Sequence, residues 1–201
     1  MEDMTSFEAL VRFIKSLSVA LHERDPHTRF HCDRVGLLTC EIGIACDLSK
    51  ADLTVLRISS ALHDIGKIGI PDKILLKATS FDQDEWEIMK THSARGQRIV
   101  DATLLTNAAE IGTIIRHHHE YFNGAGYPDG LAGESIPLLS RILSIADSYD
   151  AMATLRVYQR DRNHHEIMEV LRSEENIKFD PFVFRKFLEI IEQSSCRTRL
   201  S

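Results

Sequence analysis

The chain has 201 residues, of which 43% are hydrophobic and 27% charged, as expected for a globular protein with a buried core. Its formal net charge of −6 argues against broad binding to nucleic-acid polymers, which requires a basic surface. The acidic start is not a signal peptide, and no apolar run approaches the length of a membrane span. Four cysteines without a C-x-x-C pair are typical of reduced packing thiols. We therefore expect a cytoplasmic protein.

Helical periodicity and capping residues recur along the whole chain, whereas no alternating pattern of convincing length predicts a strand. The expected helices begin near residues 5, 26, 49, 72, 81, 106, 137, 163 and 180. Trp86 and Met89 are core candidates of the helix that begins near residue 81, and His92 is expected to close it. The sequence predicts an all-α bundle of about seven or more helices. We expect one domain over residues 1–201, with an N-terminal helix in 1–24, a motif region in 25–185 and a C-terminal helix and tail in 186–201.

Potential metal ligands cluster at several points of the chain. His63 and Asp64 follow an apolar stretch and offer a nitrogen and an anionic oxygen from adjacent residues, a pair suited to a divalent transition metal. A second cluster is His117-His118-His119-Glu120, which precedes a glycine-rich loop. Additional candidates are His31, His92 and Asp147. Together these side chains are enough for at least two metal ions.

Helical spacing indicates which of these side chains face inward. His118 lies on the face that carries buried isoleucines, so it needs a partner, and His119 beside it could reach a neighbouring metal. Glu120 could orient a ligand, whereas His117 should point away as a surface residue. His27 and His31 both point toward the buried side, but for each taken alone we favour a core or capping histidine over a ligand.

The segment from residue 137 onward adds carboxylates and cations. Asp147 and Asp150 flank an apolar stripe, and Arg156 could pair with them or bind phosphate. His164 and His165 follow the helix-capping residue Asn163, and we interpret both as surface residues.

The motifs resemble those of the HD-GYP family, a branch of the HD superfamily of metal-dependent phosphohydrolases. The resemblance extends over most of the chain. It is carried by RDPHT at 24–28, LHDIGKIGIPD at 62–72, MKTH at 89–92, HHE at 118–120, GYPDGL at 126–131, IADSYDAM at 145–152 and FDP at 179–181. The resemblance implies a phosphodiesterase that hydrolyses cyclic di-GMP to the linear dinucleotide by attack of a metal-bridging hydroxide, with further cleavage to GMP left open.

The resemblance also implies roles for individual residues. The metal positions of the family correspond to His31, His63, Asp64, His92, His118, His119 and Asp147. Asp64 would bridge two ions, commonly iron or manganese, and would act in catalysis together with Lys67. Lys67, Arg156 and Asp150 would contact the substrate. The loop Gly126-Tyr127-Pro128 is associated in the family with the binding of diguanylate cyclase (GGDEF) domains.

Three positions depart from the pattern of the family. His27 replaces a tyrosine or glutamate and is a candidate ligand for a third metal ion. Asn123 replaces an aspartate of the loop motif, and Gln159 stands where a basic residue is common. These changes leave two alternatives open, a cyclic-dinucleotide receptor or adaptor with weak or no turnover, and a phosphodiesterase that prefers a hybrid cyclic dinucleotide. A nucleotide phosphohydrolase of the broader superfamily is disfavoured by the Gly-Tyr-Pro loop.

Overall fold

The structure is a computed structural model and describes residues 2–25, 28–103, 105–153 and 163–198. The helices are α1 Glu2–His22, α2 Thr28–Ala45, α3 Lys50–Leu62, α4 Asp72–Leu75, α5 Gln83–Lys90, α6 His92–Asp101, α7 Ala108–His117, α8 Leu138–Ala153, α9 His164–Ser173 and α10 Pro181–Ile190. Short 3₁₀ turns lie at Ile65–Gly69 and Gly133–Ser135. Within the described residues there is no β-strand, only one isolated bridge between Glu175 and Phe179. The predicted all-α fold is confirmed.

Side chains that satisfy free backbone N–H groups begin several helices at the expected places. Ser49 accepts a hydrogen bond from the backbone N–H of Asp52 at the start of α3. Asp82 and Asn163 each form a reciprocal capping box with the glutamate three residues later, and Asp180 caps α10 just before its proline. The expected start of α2 at Pro26 lies outside the described residues.

Two expectations about residues 81–101 are wrong. His92 does not close a helix, because α5 already ends at Lys90 and His92 is the first residue of α6. This helix escaped prediction because its buried face consists largely of polar and small residues, with Ser93, Gly96 and Val100 beside His92. Met89 is buried as expected, but Trp86 is 40% exposed and is not a core residue.

Packing brings the helices that carry the candidate ligands together. α2 lies against α3 and α8, while α6 packs on α7 and on the 3₁₀ turn that follows α3. One apolar cluster contains side chains from Leu21 in α1 to Ile191 after α10. All four cysteines are free thiols, as expected. In the described ranges, none of the helices combines the length and apolar composition that a bilayer-spanning segment needs.

Candidate metal centre

The predicted ligands lie at helix ends and inward-facing helix positions around one buried space. His31 is on α2 and Asp147 on α8, while His63 and Asp64 directly follow α3. The others are His92 at the start of α6 and His118 and His119 at the end of α7. The exposed fraction is 0% for His63 and His118, 3% for His92 and 4% for Asp64. Groups of this polarity are buried only when each finds a partner.

Three of the imidazoles share one hydrogen-bond pattern, in which Nδ1 donates to the carbonyl oxygen three residues earlier. The distances are 2.8 Å for His63, 2.9 Å for His92 and 2.6 Å for His118. Because a carbonyl can only accept, each ring carries a proton on Nδ1 and points Nε2 inward. The buried Nε2 atoms of His92 and His118 have no hydrogen-bond partner among the described residues. A bound cation would supply that partner.

The first group of donor atoms comes from His31, His63, Asp64 and Asp147. His31 Nε2 lies 3.3 Å from His63 Nε2 and 3.1 Å from Asp147 Oδ1. His63 Nε2 lies 3.5 Å from Asp64 Oδ2 and 3.7 Å from Asp147 Oδ1. Ligands with bonds of about 2.1 Å to one ion lie about 3 Å apart when they are adjacent in its coordination sphere. The group therefore fits a single transition-metal ion.

A second group consists of His92, His118 and His119, whose ligand atoms all lie within 4.8 Å of one another. His92 Nε2 is 3.6 Å from Asp64 Oδ1, the oxygen opposite the one that faces His63. The two oxygens of Asp64 thus face two separate groups of imidazole nitrogens. This is the arrangement in which one carboxylate can bridge two cations.

The electrostatics of Asp64, His118 and His119 match the protonation states that metal ligands need. Burial, together with repulsion from His63 and His92, lowers the pKa of His118 to about 3, and the pKa of His119 is likewise well below its usual value. Burial disfavours the charge of Asp64, but Lys67 and the neighbouring histidines outweigh it and hold its pKa well below the ordinary range. Neutral imidazoles and ionised carboxylates are the forms that bind cations.

His31 and His63 differ from the other histidines, because their pKa values are raised. Burial disfavours the charge of His31, but hydrogen bonds with Asp147 and Asp150 outweigh this effect and raise its pKa to about 9. Burial also disfavours the charge of His63, but the charge of Asp64 and a hydrogen bond with Asp147 outweigh it and raise the pKa of His63 well above its usual value. A cation at the first group must therefore compete with protons for both histidines, so metal affinity should fall as the pH is lowered.

Charged side chains surround these ligands. Asp150 accepts a hydrogen bond from His31 Nδ1 at 2.8 Å and two from Arg34, at 2.6 and 2.9 Å. Lys67 Nζ donates to Asp64 Oδ2 at 2.7 Å. Asp150 was expected at the substrate. Arg34 was not among the predicted site residues, although its place one turn after His31 was an available signal. The contacts of Asp150 fit a residue that orients His31.

Glu120 contacts the glycine-rich loop. Its carboxylate is buried and accepts hydrogen bonds from the backbone N–H groups of Asp129, at 2.7 Å, and Leu131, at 3.1 Å. We expected Glu120 to orient a metal ligand, but the hydrogen bonds of its side chain hold the loop instead.

Two histidines that were expected at the surface are mostly buried. His117 Nε2 lies 2.8 Å from Asp129 Oδ2, and the side chain is 12% exposed. His164 is 8% exposed, with Nδ1 at 2.9 Å from the hydroxyl oxygen of Tyr149. Both predictions failed because the partner is distant in sequence. His165 is exposed, as expected.

The glycine-rich loop that follows the His117–Glu120 cluster forms one wall of the centre. The backbone N–H of Tyr127 donates to the carbonyl of His119 at 3.1 Å, and the two rings lie 4.9 Å apart. A Cβ at Gly126 would lie 2.2 Å from the backbone nitrogen of Tyr121, so this close approach requires glycine. Pro128 is exposed, and its peptide bond to Tyr127 is cis. His27, Arg156 and Gln159 lie outside the described residues.

Comparison with known proteins places this centre in a family. A family model described as HD domain matches residues 15–183. A cyclic di-GMP phosphodiesterase of Thermotoga maritima is 36% identical over 193 residues, which are 94% of this chain and 52% of that protein. The 3'3'-cGAMP-specific phosphodiesterase 2 of Vibrio cholerae is 33% identical over 185 residues, 90% of this chain and 35% of that protein. The chain spans about half or less of the length of these relatives.

Solved structures share the fold. A cyclic GMP-AMP-specific phosphodiesterase of Vibrio cholerae superposes with a TM-score of 0.68 at 21% identity, covering 92% of this chain and 49% of that one. An HD-GYP protein of Bdellovibrio bacteriovorus gives a TM-score of 0.63 at 19% identity, covering 81% of this chain and 51% of that one. Together with the sequence relatives, these matches confirm the resemblance that the motifs indicated.

Proposed function

We propose that this chain, which belongs to the HD domain family, is a metal-dependent phosphodiesterase that hydrolyses cyclic di-GMP to the linear dinucleotide. The observation that carries the proposal is the position of Asp64, whose Oδ2 faces His63 and whose Oδ1 faces His92. A carboxylate shared between two sets of imidazole nitrogens suits a pair of divalent ions.

The two groups of donor atoms divide the work of holding such ions. One ion would be held by His31, His63 and Asp147, and the other would be held by His92, His118 and His119. Asp64 would be common to both. Iron or manganese suits this mixture of imidazole and carboxylate donors. Ions held by these residues would supply a lower pKa for bound water and stabilisation of negative charge on phosphoryl oxygens.

The surrounding side chains prepare the centre for an anionic substrate. Lys67 places a positive charge at Asp64, and we propose that its ammonium group also contacts the scissile phosphate. Asp150, held by Arg34, keeps the Nδ1 proton on His31 and so leaves Nε2 available as a ligand. We propose that Arg156 also contacts phosphate, and that the Gly126–Pro128 loop contacts diguanylate cyclase domains.

The relatives support a cyclic dinucleotide as substrate but differ in the dinucleotide that they are named for. The relative from Thermotoga maritima is named for cyclic di-GMP, and a Vibrio cholerae relative of similar identity is named for 3'3'-cGAMP. We therefore propose cyclic di-GMP as the main substrate and the hybrid dinucleotide as the second candidate.

A turnover assay tests the proposal. Protein purified without oxygen is supplied with Fe²⁺ or Mn²⁺ and incubated with each dinucleotide, and the linear product and GMP are separated by chromatography. Asp64→Ala should abolish hydrolysis, whereas His165→Ala, at an exposed histidine of α9, should leave it unchanged. Equal rates in the wild-type protein and Asp64→Ala would refute the enzyme proposal. Binding of the dinucleotide without any turnover would favour a receptor.

Metal analysis of the same preparations addresses the third ion. If His27 is a ligand, anaerobically purified protein should hold three ions per chain and His27→Ala should hold two. An unchanged metal count would exclude this role for His27.

A further inference from the structure

Trp86 is exposed although a tryptophan side chain normally gains stability from burial. It is the chain's single tryptophan and leaves 40% of its surface accessible. Its ring is nearly parallel to that of Phe81, with the centroids 6.3 Å apart and 20° between the planes. On another side it meets the ring of Tyr127, 6.0 Å away and almost perpendicular. We call Phe81, Trp86 and Tyr127 the aromatic shelf.

The aromatic shelf is continuous with the candidate metal centre. The Tyr127 ring lies 4.9 Å from that of His119 and 6.5 Å from that of His92, both among the proposed ligands. The shelf therefore begins at the metal centre and extends one ring outward to Trp86. Lys90, one turn after Trp86 on α5, places its ammonium 5.9 Å from the Tyr127 ring and pairs with Glu87 at 2.8 Å.

We propose that the exposed surface of Trp86 stacks a purine base of the cyclic dinucleotide whose phosphodiester lies at the metal centre, a role that rests on the proposed function. A cyclic dinucleotide carries two flat bases on a compact ring of sugars and phosphates, so a base must lie close to any phosphate that is being cleaved. Aromatic side chains bind bases by stacking, without dependence on a particular hydrogen-bond pattern. The nearly parallel Phe81 ring packs beside Trp86, which limits the freedom that stacking would otherwise remove.

Alternative occupants of the aromatic shelf are less well supported. A fold-stabilising role does not explain the exposed surface of Trp86, because the buried neighbour Met89 already provides the core contact of α5. A protein partner would suit an apolar patch, but the shelf adjoins polar and charged ligands of the metal centre and Lys90. A flat aromatic surface next to a centre that would bind phosphate matches a nucleotide base.

Intrinsic fluorescence gives a direct test of binding, since all of the tryptophan emission comes from Trp86. The probe is a non-hydrolysable phosphorothioate analogue of cyclic di-GMP, titrated into manganese-loaded protein. We expect saturable quenching of the emission. Inorganic phosphate, which can occupy the metals but has no base, should leave the emission nearly unchanged. Equal quenching by phosphate, or no quenching while the analogue binds by calorimetry, would overturn the proposal.

Kinetics of hydrolysis provide the second test. Trp86→Ala should raise the KM for cyclic di-GMP about 5- to 100-fold and leave kcat within about threefold, while Trp86→Phe should retain most of the affinity. Phe182→Ala removes an equally exposed aromatic ring, at 43%, from α10 and serves as the matched control. Equal KM values for Trp86→Ala and Phe182→Ala would refute stacking.

The same experiments separate failure of the two proposals. If Trp86→Ala does not affect hydrolysis, the stacking role is excluded and the enzyme proposal stands. If the analogue quenches the emission but the protein never hydrolyses the dinucleotide, the enzyme proposal is excluded and the stacking proposal stands. If Trp86→Ala weakens only the capture of a diguanylate cyclase domain, the aromatic shelf is a protein-docking surface and the stacking proposal is wrong.

Discussion

Gly66 lies in the 3₁₀ turn after Asp64, where the backbone of α6 leaves no room for a side chain. A Cβ there would meet the carbonyl oxygen of His92 at 1.8 Å and the backbone nitrogen of Gly96 at 2.5 Å. Carbon contacts are normally about 3.5 Å, so Gly66→Ala must separate the turn from α6 by well over 1 Å. Overpacking a core costs about 1–3 kcal/mol, and we expect about 3 kcal/mol here because both colliding atoms belong to the backbone and cannot rotate away.

The displacement should also reach the metal centre. Asp64 precedes the turn and His92 begins α6, so moving the two segments apart lengthens the 3.6 Å separation of Asp64 Oδ1 from His92 Nε2. We therefore expect Gly66→Ala to lose metal from the second group as well as stability.

Urea denaturation followed by circular dichroism, with metal content measured on the same samples, tests this expectation. Gly36→Ala is the control, because a Cβ at that position of α2 meets nothing within 4 Å. This change should stabilise the helix by about 0.5–1 kcal/mol. If Gly66→Ala unfolds at the same urea concentration as the wild type and keeps its metal, close backbone packing is not what positions Asp64 against His92.

Three further perturbations have defined outcomes. When the metal ion is present at 100 times its Kd, adding a chelator should lower the free energy of unfolding by about 2.7 kcal/mol in calorimetric scans. The chelator should leave the free energy of unfolding of His118→Ala unchanged if that variant binds no metal. Arg116 holds the pKa of Asp129 at about 2, below its unfolded value of about 3.9, so this pair stabilises the fold above pH 4 and loses its contribution as the pH falls toward 2. Asp129→Asn should remove that part of the acid dependence, and an unchanged acid-unfolding curve would contradict it. Tyr149→Phe removes the hydroxyl that bonds His164 and should cost about 1–2 kcal/mol in urea with kcat unaltered; a large loss of kcat would show that Tyr149 acts at the metal centre.

Much of the fold was predicted from apolar periodicity. This signal identifies a helix only when the side chains that it buries are apolar. α7 and α8 obey that rule and were found from their isoleucine and leucine spacing. α6 breaks it, since it buries His92, Ser93 and Gly96 against neighbouring backbone, and was not predicted. Trp86 breaks it in the opposite sense, as a large aromatic residue left exposed. Periodicity therefore failed at residues that adjoin the candidate site.

The sequence by itself determined the chemical inventory, because imidazole and carboxylate groups in these motifs can be read directly as donors for a divalent metal. It also determined that His118 faces inward, since helical spacing fixes which side chains share a face. Only the tertiary structure decided that Asp64 has one oxygen toward His63 and the other toward His92, and that Asp129 clamps His117. Spacing along a helix is local, whereas the separation of atoms on different helices depends on how those helices pack.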